Sequence, residues 1–393
     1  MRMPKKTAFL NTVSPVDLLR RLVATDSRSP GALATPMAPD TITEETLCAL
    51  IEEWLGELGF VCERQYPAPR RPQLLARRCP HPGRPTLAFS AHFDTVGTAG
   101  MTVPPFAGEL RDGRLYGRGA CDTKGSHAAM LLALARLCHD PLSPNLMFIG
   151  TCAEESGIEG APRLRLGDTP PDAVIIGEPT GNRLVTGHKS HLWLELAVHG
   201  RAAHGSTPEA GDNAIYRMAE VIQSLRRLAE TEMGRESCAG FTPQTLAVTV
   251  VAGGNKVNII PDQCRIQADV RLFPGTNVAA FVRELTARIK AETGQTLDVL
   301  SQHGANGFGA IPNSPLRRAM AAALAAASRD ATETTVNYCT DAGAFAGFGI
   351  DTVIFGPGDI RQAHGPTEFL ELAELEAAIP LLTATARAFA VAR

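Results

Sequence analysis

The stretch Leu87–Val96, LAFSAHFDTV, decides how this chain is read. Its first residues are a continuous apolar run, the signature of a strand buried on both faces of a parallel sheet. It ends on His92 and Asp94, two residues apart. Side chains at i and i+2 share one face of a strand, so an imidazole and a carboxylate converge on one spot. For this pair alone, a core histidine bonded to its neighbour is the simpler reading.

Outward from this strand, the first part of the chain alternates strands and helices. PTLAFSAH, NLMFIGTCA and DAVIIGEPT read as strands, and HAAMLLALARLCHD and ITEETLCALIEEWLGELGF as helices, the latter with a capping Thr43. The expected fold class is α/β, a mainly parallel sheet flanked by helices. Near Gly187 the pattern changes. HLWLELAVHG alternates with period two, and TLAVTVVAGG and CRIQADVRLFPG are further strands between two amphipathic helices. These predict an inserted α+β sandwich over 188–303, with the first domain formed by 1–187 and 304–393.

Composition excludes several classes of function. The 393 residues carry a formal charge of −3 and no long basic run, which argues against nucleic acid and membrane surfaces and for a small-molecule partner. The N-terminal MRMPKKTAFLNTVSP lacks an apolar core of signal length and no run of eighteen apolar residues occurs, so a cytoplasmic location is expected. Nine cysteines without a CxxC pair argue against a disulfide framework and a thiolate metal site. GRGACDTKGS has Lys124 before Gly125 and does not form a phosphate loop, and no strand is followed by GxGxxG.

Four more segments bring acids or a histidine to strand ends: Asp122 in YGRGACDTKGSHAAM, Glu154 and Glu155 in GTCAEES, Glu178 in IIGEPT and His364 in GDIRQAHGPTE. Singly these also read as a helix cap, a solvated acid pair, a turn acid and a loop histidine. Together they point to one site, because ligands of open α/β sheets gather at the carboxyl ends of the strands. Oxygen ligands with two imidazoles and no thiolate match a borderline divalent ion such as zinc. His92, His364, Asp122, Glu155 and Glu178 are too many ligands for one catalytic ion with an open position and suit two ions with a bridging carboxylate. Asp94 would accept from the second ring nitrogen of His92. Neighbouring Glu154 and Glu155 can serve one site only if the chain turns irregularly after Ala153, leaving one of them free as a general base.

At these residues the sequence resembles the dinuclear zinc amidohydrolase and exopeptidase family of acetylornithine deacetylases, succinyl-diaminopimelate desuccinylases, aminoacylases and glutamate carboxypeptidases. SAHFDTV, GRGACDTKG, AEES, IGEPT, GRAAHGSTPEAGDNAI, NIIPDQC with DVR, and GPGDIRQAHGPTEF carry the likeness over nearly the whole chain. The resemblance implies one Zn2+ on His92 and Glu178 and a second on Glu155 and His364, with Co2+ or Mn2+ as substitutes. It implies Asp122 as the bridge and the start of a cis peptide, Asp94 behind His92 and Glu154 as catalytic base. It makes the inserted domain a lid and dimerisation domain, hence a homodimer, with His204 as an oxyanion donor and Asn258 and Arg271 as substrate contacts. CTDAGAF and FGPGDIRQAH are more like the acetylornithine deacetylases, which implies removal of an acetyl group from an N-acyl amino acid such as ornithine, in arginine biosynthesis. Two departures stand out: Ser190 in GHKSHLW, and a longer segment SRSPGALATPMAPDTITEE, residues 27–45.

Overall fold

The computed structural model of the protein describes residues 8–38 and 40–392. Residues 1–7, part of the N-terminal stretch read above as free of an export signal, lie outside that range. The chain divides into two compact units: Met1–Thr186 with Ala310–Thr334 and Thr340–Arg393, and Gly187–Gly309 with Thr335–Cys339.

In the first unit the sheet order is Val61–Ala68, Arg71–Arg78, Asn145–Thr151, Thr86–His92, Ala173–Ile176, Asp351–Ile354, Val185–His188. The four strands from Asn145–Thr151 to Asp351–Ile354 are mutually parallel, and the outer pairings are antiparallel. The expected mainly parallel sheet therefore has its parallel part at the centre. Leu87, Ala88, Phe89 and Ala91 are buried, as the continuous apolar run requires. The helix Gly125–Leu137, the crossover between two of these strands, buries every residue but Arg136. It is apolar all round because it lies inside a core with Phe89, Phe148, Leu316, Leu375 and Leu382. Every strand of the parallel core thus ends on the same edge, which is where His92 and the loops to Glu154, Glu178 and His364 begin.

The second unit holds a four-stranded antiparallel sheet in the order Thr245–Gly253, Gln263–Arg271, His191–His199, Asp298–Ala305. Leu192, Leu194, Leu196 and Val198 point to one face and pack with Met218, Val221 and Leu225 of the helix Ala214–Leu228 and Leu285 and Ile289 of the helix Val278–Thr293. Period two on the strands and period 3.6 on the helices build this core. The unit runs beyond the expected 303, to Gly309, because Phe308 and Gly309 pair with His188 and Gly187. A return segment, Thr335–Cys339, also belongs to it.

Candidate metal centre

His92 closes its strand. Its Nδ1 donates to the main-chain carbonyl of Asp94 at 2.8 Å, while the nearest Asp94 carboxylate oxygen is 3.7 Å away. The expected ring-to-carboxylate bond is therefore corrected: the carbonyl fixes the ring. The buried Asp94 carboxylate instead accepts the amides of Glu154 and Glu155, on Oδ1 and Oδ2, both at 3.1 Å. Two residues after a strand, the backbone is free to turn its carbonyl toward the ring, and that leaves the carboxylate for a neighbouring loop.

That loop takes the irregular course expected after Ala153. The strand ends at Thr151, and Ala153 has φ +56°, in the left-handed region that a residue with a Cβ seldom adopts. The Glu154 carbonyl then accepts the amides of Gly157 and Ile158 at 3.0 and 2.8 Å, closing the turn. A regular strand would aim the two glutamates at opposite faces, whereas the turn leaves both half-buried.

Asp122 lies in the loop before the helix Gly125–Leu137 and is joined to Thr123 by a cis peptide. Its Oδ1 is 3.1 Å from His92 Nε2 and its Oδ2 is 3.5 Å from His364 Nε2. His364 also contacts Glu155 Oε2 at 2.9 Å. Two groups result, His92–Asp122–Glu178 and Asp122–Glu155–His364, each with its ligand atoms within 4.8 Å of one another and with Asp122 common to both. A cation would have both imidazole and carboxylate donors in either group.

The electrostatics of the site fit such cations. Asp122, Glu154, Glu155 and Glu178 crowd against two imidazoles. Burial raises the Glu154 and Glu178 carboxyls well above the carboxylate range, and Glu155 rises to about 7 through burial and the Asp122 charge. Burial opposes charge on His92, but the Asp122 hydrogen bond and the Glu154 and Asp122 charges raise it well above free imidazole. Hydrogen bonds to Asp122 and Glu155 lift His364 to about 10. The buried carboxyls and imidazoles hold protons between them here, and a divalent cation at either group would take their place.

Sequence reasoning missed two supporting acids. Buried Glu368 accepts the amides of Cys121 and Asp122 on Oε1, at 3.0 and 3.1 Å, and pairs with buried Arg118 through Oε2 at 2.6 Å. It holds the Asp122 loop from a position about 250 residues away in sequence. Its only signal was its place in HGPTE, four residues after His364. Asp341, in CTDAGAF, is buried, accepts from Thr151 Oγ1 at 2.6 Å and is raised to about 6 by burial.

The remaining expected residues belong to the second unit. His204 sits in a two-residue strand opposite Ile259 and is exposed. Its Nδ1 accepts the Ser206 amide at 3.2 Å, so the neutral ring carries its proton on Nε2, ready to donate. Asn258 is exposed, and its carbonyl accepts the Gly205 amide at 2.8 Å. Arg271 is engaged by Asp269 through two bonds of 2.9 Å, the strand-neighbour ion pair that i and i+2 on one face allow. Its fork is therefore occupied by protein.

Residues 88–388 match the family model of peptidase family M20/M25/M40. The chain belongs to that family and is a hydrolase of its metallo-amidohydrolase class. It is 32% identical over 372 residues to the acetylornithine deacetylase of Proteus mirabilis, covering 92% of this chain and 93% of that protein, and 33% identical over 370 residues to that of Photorhabdus laumondii, covering 91% and 92%. Among solved structures it resembles a tripeptidase from Staphylococcus aureus, with a TM-score of 0.79 at 21% identity, covering 98% of this chain and 100% of that one. It also resembles a dinuclear metal-binding M20 peptidase from Bacillus subtilis, with a TM-score of 0.70 at 17% identity, covering 99% and 100%.

Proposed function

We propose that this protein is a dinuclear zinc deacylase that removes the acetyl group from an N-acyl amino acid, N-acetyl-L-ornithine first, and so serves arginine biosynthesis in the cytoplasm. The observation that carries the reading is the pair of ligand groups sharing Asp122, in a chain whose relatives over nine-tenths of its length are acetylornithine deacetylases. Among the described residues no helix is long and apolar enough to cross a membrane.

In this reading His92 and Glu178 would hold one ion and Glu155 and His364 the other, with Asp122 available to both. When bound, divalent ions supply Lewis acidity toward an amide carbonyl and ease deprotonation of water. Glu154, beside the ligands but in neither ligand group, is the carboxylate left to take a proton from the attacking water and return it to the leaving amine. Asp94 keeps the Glu154 amide, and with it the turn, in place. His204 donates from Nε2 to the developing oxyanion. Asn258 contacts the substrate, and Arg271 receives its carboxylate by exchanging Asp269 for it.

Hydrolysis of N-acetyl, N-succinyl and N-formyl amino acids and of dipeptides, before and after chelation and with Zn2+, Co2+ or Mn2+ restored, tests the reading. Release led by N-acetyl-L-ornithine and abolished by chelation is expected. A lead by N-succinyl-diaminopimelate, another acyl amino acid or a dipeptide would keep the chemistry and replace the substrate. No hydrolysis of any member by metal-loaded protein would favour a noncatalytic metal-binding role.

We further propose a homodimer through the second unit. Its sheet ends on the strand Thr245–Gly253, where Val250 and Val251 are exposed, and Ile215, Tyr216, Val257 and Ile259 add exposed apolar surface. In such a dimer His204 serves the partner's site. His204→Ala is expected to lower kcat about 10²-fold, the cost of one oxyanion donor, with metal content unchanged. Co-expression of His204→Ala with Glu154→Gln subunits should restore measurable turnover, since hybrid dimers contain one site with both residues. Absence of any restoration would assign His204 to its own subunit's site.

A further inference from the structure

The segment from Ser27 to Glu44 meets the turn that carries Glu154 through Ser29, Leu33 and Glu44. It is stitched first to the chain beyond Asp94: the Thr95 amide donates to the Ser27 carbonyl at 3.1 Å, and the Ser29 amide to the Thr95 carbonyl at 2.8 Å. The Ser29 and Ser156 hydroxyls then meet at 2.6 Å, and the Leu33 amide donates to Glu159 Oε2 at 2.7 Å. The middle and the far end of the turn are thus held by one segment more than 120 residues away in sequence.

Behind the turn lies a charged pair that no step of the proposed chemistry uses. Arg71 and Glu44 are 1% and 0% exposed, and the guanidinium makes two bonds to the carboxylate, Nε to Oε2 at 2.9 Å and Nη2 to Oε1 at 2.7 Å. A buried ion pair is a weak source of stability, because desolvation offsets much of its attraction. What this one does is connect. Arg71 Nη1 donates to the Gly31 carbonyl at 2.8 Å, and the Ala153 amide faces Glu44 Oε1 at 3.4 Å. Ala153 is the left-handed residue on which the turn depends, and a residue held in that region persists when its surroundings over-determine it. Glu44 is the N-cap residue of the helix Glu45–Glu57, and its side chain makes no capping bond there and turns inward to Arg71.

We propose that Glu44, Arg71 and Ser29 are positioning residues: they make the 27–44 segment a brace that fixes the Ala153–Glu159 turn and so the orientation of the Glu154 carboxylate. The inference rests on Glu154 acting as the general base. A base must stay within hydrogen-bond reach of the proton it takes, and small displacements of reacting groups cost large factors in rate. Of the five ligands only Glu155 lies in this turn, while His92, Asp122, Glu178 and His364 lie on other segments, so loosening the brace costs turnover more than metal content.

The test is steady-state kinetics of Glu44→Gln, Ser29→Ala, Arg71→Met and Arg71→Lys in the full-length metal-loaded protein, with N-acetyl-L-ornithine or the fastest member of the panel above, alongside metal content. Glu44→Gln and Arg71→Met are expected to lose about 10-fold or more in kcat, the scale of outer partners of a metal site, with KM at its parental value and metal content falling by much less. Ser29→Ala should lose less, and Arg71→Lys should recover part of what Arg71→Met loses. If Arg71→Met fails to fold, Ser29→Ala and Glu44→Gln decide alone. Parental kcat in both, or losses that follow metal content, would overturn the brace. Glu154→Gln separates the two readings: parental turnover there removes the base and the brace with it, whereas an inactive Glu154→Gln beside an unaffected Glu44→Gln removes only the brace.

Discussion

Asp122→Ala is expected to abolish turnover and to empty both metal positions at once. Asp122 is the one residue common to the two ligand groups, with one oxygen toward His92 and the other toward His364. Its loss leaves each group with a single carboxylate and a single imidazole. Lewis-acid assistance is worth several kcal/mol, and each 1.4 kcal/mol is tenfold in rate, so the loss should be on the order of 10³-fold or greater. Elemental analysis of the purified variant, with kinetics in added Zn2+, is the measurement. A variant that keeps two ions per chain would show that Asp122 does not span them, and selective loss of one ion would assign Asp122 to a single group.

Glu154→Gln should behave in the opposite way toward metal. The amide keeps the size of the carboxyl but cannot take a proton, so about 10²- to 10⁴-fold in kcat should go while both ions remain. Stability gives an independent reading. A carboxyl whose folded pKa lies above its unfolded value favours unfolding once pH exceeds the unfolded value, because the unfolded chain ionises more readily. Burial raises Glu154 in this way. In chelator at pH 7 to 8, Glu154→Gln should therefore melt no lower than the parent, and any Tm change should be upward. A lower Tm together with lost metal would recast Glu154 as a structural or ligand residue.

Much of the site was legible before the fold was known, for a local reason. Whether a residue stands at the end of a strand is written in the apolar run before it, and a parallel sheet brings such ends to one edge, as it does for His92 and the loops to Glu154, Glu178 and His364. The turn at Ala153 was legible by the same logic, since two adjacent acids cannot share a face on a regular strand.

The errors have a common physical origin. Asp94 was read as the partner of the His92 ring because the two lie close in sequence, yet the ring took the Asp94 carbonyl and the carboxylate took two amides some 60 residues away. Arg271, expected from the resemblance to contact substrate, is paired with Asp269 on the same face of its strand. The boundary at 303 fell short because the pairing of Phe308 with His188 joins residues 120 apart.

The sequence by itself determined the fold class, the change of architecture near Gly187 and the residues that the fold gathers into two candidate ligand groups, because periodicity, strand ends and ligand chemistry are properties of short segments. Only the tertiary structure decided what holds those residues. Glu368 on the Asp122 amides, Asp94 on the Glu154 turn, and Glu44 with Arg71 behind Ala153 are hydrogen-bond partners separated by tens to hundreds of residues. Which acceptor meets which buried donor depends on how the segments pack, because each donor takes whichever partner the packing brings within reach.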